Sequence, residues 1–292
     1  MTTHATEPTP NVSSVGTPVV TTRAERYAAG KALRSKVPRS SHAGWSPAPD
    51  RPDPVSLLEE SNRSRIAKLV PIRYGRMALS PFTFLRGSAN VMASDLATTP
   101  ITGMRVQACG DAHLSNFGVY ATPERDQVFD VNDFDETLPG PWEWDVKRLA
   151  ASVMVAGRQN GYSPGENRQA VLGGVAAYRQ MMHQFATMRY LDIWYTKINL
   201  EYVRQQARRK KGKALIETAM KQAQRRTSLH TFPKLAEVVD GQYRIKDEPP
   251  LIVHYEDIDD VNQIRRFGDA YIASLPEYRR VLRERYHAVD IA

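Results

Sequence analysis

Between Arg105 and Ser152 the chain twice runs from a short apolar segment directly into carboxylates. Val106, Ala108 and Cys109 lead into Gly110-Asp111, and Val128-Phe129 with Val131 leads into Asn132-Asp133-Phe134-Asp135. Short runs of this kind, closed by Gly, Asn or Asp, read as strands. Two strands that each deliver acidic residues at or near their ends are a common way for α/β proteins to build a site. A fold that contains this chain must accommodate that pair, so Asp111, His113, Asn116, Asp133 and Asp135 are the residues to explain.

The chemistry they suggest is magnesium-assisted phosphoryl transfer. An aspartate just past a strand end can orient an attacking hydroxyl and accept its proton, the part given to Asp111. Asn116, five positions later, can turn its amide oxygen toward a divalent cation. Asp133, after the neighbouring strand, can complete that cation's protein ligands. Magnesium keeps several waters and the substrate phosphates, so a sparse oxygen set suits it, and manganese is held in the same way. Phosphoryl transfer asks the protein mainly to position groups and neutralise charge. Singly, Asp111 and Asn116 read as turn residues; the ordered set reads as a site. Upstream, Arg86 before Gly87 sits in an aromatic cluster with Phe82 and Phe84, which makes it a candidate for contacting a phosphate or carboxylate.

Composition narrows the classes. A chain of 292 residues, 41% hydrophobic and 25% charged, supports one large domain or two smaller ones with a sizeable core. No apolar run approaches the ~20 residues of a membrane span. The N-terminus lacks a charged-then-apolar leader pattern, so cytoplasmic residence is the expectation. The single cysteine excludes an intrachain disulfide framework and cysteine-rich metal sites. A net charge of +8 favours anionic company. The basic stretch from Arg204 to Arg226 has no interleaved aromatics, so it reads as solvated helix faces rather than a nucleic-acid surface.

Residues 1–50, rich in Thr, Ser, Pro and Ala, read as a disordered tail, with room for a short helix around Arg23 to Arg34. Structure is expected from near Pro54, where Val55, Leu57, Leu58, Ile66, Leu69 and Val70 have rough helical spacing ended by Pro71. Asp145 is expected to cap a helix from Val146 to about Arg158 whose inner face carries Leu149, Ala150, Val153 and Met154. Ser163-Pro164-Gly165-Glu166 starts another, whose helical face continues through Val171, Leu172, Val175, Tyr178, Met182, Phe185 and Met188, with Trp194 and Tyr195 packed against the pair. Asp240-Gly241 marks a hairpin, DEPPLI an extended segment, and Pro276 a break between helices. His230 and His254 have no close histidine partner and make no convincing metal site.

Gly110-Asp111-Ala112-His113-Leu114-Ser115-Asn116 resembles the Gly-Asp-x-His-x-x-Asn catalytic loop of the aminoglycoside phosphotransferase and choline kinase branch of protein-kinase-like folds. Asn132-Asp133-Phe134-Asp135 resembles that branch's metal-binding aspartate, and Gly140 to Val146 its later Gly-x-Pro-x-x-Asp-Leu element. The resemblance implies a catalytic base at Asp111, metal ligands at Asn116 and Asp133, and a brace at Asp145. Cys109 departs from it, since many relatives have a histidine there. SPFTFLRGSA, CGDAHLSNFG, FDVNDFDETLPGPWEWDVKRLAAS and DEPPLI closely resemble the bacterial domain of unknown function 2252 family, from about Asp53 to the last residue. That family carries no established reaction. Its members usually continue into a segment resembling a glycine-rich loop and a strand with a lysine, a circularly permuted kinase order.

The expectation is therefore an α+β, mostly helical, kinase-like catalytic lobe over residues 51–292, circularly permuted and truncated before the glycine loop. No Gly-x-x-x-x-Gly-Lys-Ser/Thr and no Gly-x-Gly-x-x-Gly occurs, and Gly173-Gly174 lies in a helical pattern. Expected site residues are Asp111 and His113 for catalysis, Arg86 for the cofactor, Asn116, Asp133 and Asp135 for the metal, and Asp145 for structure. Expected partners are Mg²⁺ or Mn²⁺, ATP or another nucleotide held weakly, a hydroxyl acceptor, and a second chain if one supplies the missing half. A non-catalytic binding module of the same fold is the alternative. A metal-dependent phosphoesterase is a weaker one, because Asp111-Ala112-His113 opens such sites but their later elements are missing.

Overall fold

The structure, a computed structural model, describes residues 22–124, 126–206, 213–214, 216–218, 221, 228–254 and 258–292. Most of the Arg204 to Arg226 stretch and the first part of the expected tail lie outside these residues. The fold is mixed α+β, with three two-stranded antiparallel sheets among the described residues.

Helix α1 (Arg23–Lys36) opens with a full capping box in which Thr22 and Glu25 exchange hydrogen bonds, and none of its residues is buried. Helix α2 (Pro54–Asn62) starts as expected, with Asp53 accepting from the Ser56 amide and proline in the first turn. Pro71 was expected to end that helical run. It instead begins α3 (Val70–Met77), because proline is tolerated where the first-turn amides have no helical partner anyway. Ser80 and Thr83 form the capping box of α4 (Pro81–Arg86), and α5 (Ala89–Leu96) follows. Leu58, Met77 and Val91 form a small apolar core between α2, α3 and α5, joined by Leu57 and Tyr74. Two polar ties fasten it: Asn90 donates to the Leu57 carbonyl at 2.7 Å, and Arg51 meets Asp95 at 2.6 and 2.9 Å.

The two expected site strands are present as β1 (Arg105–Ala108) and β3 (Gln127–Val131), but they are not sheet neighbours. Between them runs β2 (Phe117–Ala121), which pairs antiparallel with β3, while β1 pairs antiparallel with β4 (Leu138–Pro141). Antiparallel partners need only a short turn, so β2 and β3 form a local hairpin, whereas β4 returns to β1 only after that hairpin has intervened. The two strand pairs are joined end to end instead. Asn132 donates its amide to the Asn116 carbonyl at 3.0 Å, and the Cys109 thiol approaches the Asp133 carbonyl at 3.6 Å.

Helix α6 (Trp142–Gln159) organises what surrounds them, packing on α7 (Pro164–Phe185), α4, α5, β1 and β4. Its fully buried positions are not the apolar ones expected. They are Glu143, Arg148, Ser152 and Gly157, while Leu149, Ala150, Val153 and Met154 are half-buried. Helix α7 corrects a second expectation. Of its expected face, Leu172, Val175 and Met182 are exposed, whereas Val171, Phe185 and Met188 are half-buried and Tyr178 stacks on Trp142 of α6. Trp194 and Tyr195 are 82% and 67% exposed rather than packed against the pair. Farther on, Asp240 and Gly241 turn the hairpin β5 (Ala236–Val239) and β6 (Gln242–Ile245) with positive φ at both positions, and helices Ile258–Ser274 and Glu277–Arg283 flank Pro276. DEPPLI is a tight turn rather than an extended segment, since the Leu251 and Ile252 amides both donate back to the Glu248 carbonyl.

Candidate functional site

The loop after β1 is held by one stripe of α6. Asp145, Arg148 and Ser152 are spaced three and four residues apart and so share a helix face. Each grips a different part of the loop. Asp145 accepts the Cys109 amide at 2.7 Å and the Gly110 amide at 3.1 Å. Arg148 forms a short ion pair with Asp111. The Ser152 hydroxyl accepts the Leu114 amide at 3.1 Å. Asp145 was expected to cap a helix beginning at Val146. The helix begins at Trp142 instead, so Asp145 sits in its first turn and its carboxylate turns to the loop.

We expect Asp145→Ala to lower folding stability by about 2 kcal/mol, because two backbone amides lose a charged acceptor. Chemical denaturation of the variant measures this, and an unmoved midpoint would contradict the brace.

Within the loop, Gly110 has φ +83, and a Cβ there would lie 2.1 Å from the Glu136 carbonyl oxygen. Glycine is required, for both the backbone angle and the closeness of the second loop. Asp111 and His113 are 5% and 2% exposed. His113 Nδ1 accepts the Ser115 amide at 3.1 Å, which leaves the ring proton on Nε2, 3.4 Å from Asp111 Oδ2. Burial pushes His113 below its ordinary 6.5; Asp111 pulls it back up, while Arg148 and Arg86 push it further down. A histidine held neutral in the fold is outcompeted for protons by the same residue in the unfolded chain, so folding stability falls as pH drops through 6.5 toward the lowered folded value. We expect the stability difference between wild type and His113→Asn to shrink over that pH range, read from denaturation at a series of pH values. A pH-independent difference would contradict the buried neutral imidazole.

Asn116 donates its side-chain amide to the Asp111 carbonyl at 2.9 Å. That bond aims the amide oxygen the other way, and among the described residues nothing donates to it. Asp133 and Asp135 follow β3 and are exposed, with only a long 3.4 Å contact from the Asp135 amide to Asp133 Oδ1. Glu136 is pushed above the usual carboxylate range by loss of solvent and then by Asp111, Asp133 and Asp135. All six expected residues of the cleft come together: Arg86, Asp111, His113, Asn116, Asp133 and Asp135 line one open cleft of about 450 Å³. Asp145 supports it from behind.

Sequence reasoning missed Arg148, Ser152 and Glu136, and the three further arginines of the cleft, Arg65, Arg73 and Arg76. The α6 stripe had a readable signal in its helical spacing; the arginines had none. His254 has carboxylate partners, Asp247 at 2.8 Å and Asp290 at 2.9 Å, and Asp290 also accepts the Ile245 amide at 2.6 Å, which ties the last residues to β6. Among the described residues no three His, Cys, Asp or Glu side chains converge to cage a metal. A magnesium site that relies on substrate phosphates and water needs fewer.

An α+β protein whose helix-braced Gly-Asp-x-His-x-x-Asn loop faces a second acidic loop across a cleft is the class that this geometry defines. The chain belongs to the family described as uncharacterized protein conserved in bacteria (DUF2252), whose profile matches residues 65–292. No curated protein and no solved structure matches the chain. Among the described residues no helix is long and apolar enough to cross a membrane.

Proposed function

We propose that this protein is a protein-kinase-like phosphotransferase that moves the terminal phosphoryl group of a nucleotide such as ATP to a hydroxyl acceptor with Mg²⁺ or Mn²⁺. The observation that carries this reading is the meeting of Asp111 and Asn116 from one loop with Asp133 and Asp135 from the other in a single cleft. Asp111 accepts the hydrogen bond of the acceptor hydroxyl and takes its proton as the new O–P bond forms and the bond to the leaving oxygen breaks. Arg148 holds that carboxylate still, which is the positioning this chemistry rewards. His113 is a positioning group, donating through Nε2 toward Asp111. The Asn116 amide oxygen with the Asp133 and Asp135 carboxylates is an all-oxygen set with few charges, and it fits magnesium. When bound, the ion neutralises charge on the transferring phosphate. Arg86 adds positive charge at the same cleft.

Calorimetric titration with Mn²⁺ and ATP tests the assignment. Asp133→Ala is expected to weaken binding at least about tenfold, the smallest loss usual for disturbing a metal site. Unchanged affinity in a folded variant would remove Asp133 from the site. Binding by wild type without any turnover is the result a non-catalytic module would give.

A further inference from the structure

Four arginines line the cleft beside the carboxylates: Arg65 after α2, Arg73 and Arg76 on α3, and Arg86 at the end of α4. Arg73 and Arg76 share a helix face by their spacing. Arg73 is anchored, donating to Asn62 Oδ1 at 3.2 Å and to the Gly87 carbonyl, both neutral acceptors. Burial and then the nearby Arg65 push the Arg73 guanidinium below its usual range, so two like charges are held near one another. Arg65, Arg76 and Arg86 are exposed, and among the described residues none of them forms an ion pair. Yet Asp111, Asp133, Asp135 and Glu136 line the same cleft. The space between the two sets of charges is left open, and among the described residues Arg65, Arg76 and Arg86 reach no carboxylate across it.

We infer that this arginine wall is a binding site for a phosphate group, with Arg65, Arg73, Arg76 and Arg86 as its ligands. A carboxylate is satisfied by one bidentate guanidinium, whereas a phosphate or pyrophosphate offers the charge and oxygens to engage several. The site deepens the phosphoryl-transfer reading, and rests on it for which substrate carries the phosphate. A nucleotide's polyphosphate tail and a phosphorylated acceptor present the same chemistry to the wall. The arginines would hold the anion while Asp111 and the oxygen ligands face the reacting end.

The test is calorimetric titration of the full chain, freed of metal beforehand, with inorganic pyrophosphate. Wild type is expected to bind, more weakly as salt is added. Arg65→Gln/Arg76→Gln is expected to lose at least about tenfold in affinity, since two charge-assisted contacts go. Both side chains are exposed and unpaired among the described residues, so the melting temperature should hold and a loss of binding reports the site. Arg86→Gln, made separately, is expected to weaken binding as well. ATP and glycerol 3-phosphate then separate the sources: a loss confined to ATP assigns the wall to the nucleotide, and one confined to glycerol 3-phosphate assigns it to the acceptor. No pyrophosphate binding in wild type, or equal binding in the double variant, overturns the inference. Because no metal is present, that failure leaves the Asp133-dependent Mn²⁺ and ATP result standing on its own, and failure of the latter leaves the arginine site intact.

Discussion

Arg148→Met is expected to cost about 3–5 kcal/mol of folding stability, the range seen when one partner of a buried ion pair is removed. Arg148 is 2% exposed and pairs with Asp111, which is 5% exposed, so the substitution strands a carboxylate with little access to water. The same guanidinium donates to the Leu85 carbonyl at 2.7 Å and approaches the Met92 sulfur at 3.5 Å. It thus ties α6 to α4 and α5 as well as to the loop after β1. Methionine replaces the aliphatic stem, so most of the loss comes from the charge and the orphaned carbonyl rather than from a cavity. Combining Arg148→Met with Asp111→Asn should cost less than the two single changes added together, because the neutral amide no longer needs a cation. Denaturant unfolding of the four proteins measures that coupling. Additive losses would mean that the two side chains do not depend on one another.

Asp111→Asn is expected to lower phosphoryl transfer by about 10²–10⁴-fold, the usual contribution of a positioned general base. The amide keeps the shape and an acceptor oxygen for Arg148 but cannot take a proton from the acceptor hydroxyl. It also leaves Arg148 without its counter-charge, so rates must be compared at a temperature where circular dichroism finds both proteins folded. Release of labelled phosphate from ATP in the presence of Mg²⁺, with water as the acceptor, gives the readout. Mn²⁺ and ATP binding should survive the substitution, because the proposed metal ligands are Asn116, Asp133 and Asp135. Equal rates in the two proteins would remove Asp111 from the reaction.

Much of the local structure was determined by sequence alone. Caps and turns act over three or four residues, so Ser163-Pro164 with Glu166 and Asp240-Gly241 form the helix start and the hairpin expected of them. The apolar runs before Asp111 and Asn132 are strands, and the candidate residues that follow them do share a cleft. Pairing was beyond that reach. Val106 and Val128 carry no mark of their partners, and only the tertiary structure gives β1 to β4 and β3 to β2, joining the two pairs through Asn116 and Asn132.

Burial was the second thing decided in three dimensions. Hydrophobic spacing on α6 and α7 pointed inward at Leu149, Val153, Leu172 and Met182, yet the deepest positions of α6 are Glu143, Arg148 and Ser152. A loop of irregular backbone has amides and a carboxylate to satisfy, and the helix beside it supplies polar groups for them at the cost of apolar contact. Periodicity shows which residues share a face. What that face meets depends on the loop laid across it, and for Asp145, Arg148 and Ser152 their partners in that loop lie 35 to 38 residues earlier in the chain. Arg65 after α2 and Arg73 and Arg76 on α3 reached the same cleft by packing alone, which is why no motif in their own segments announced them.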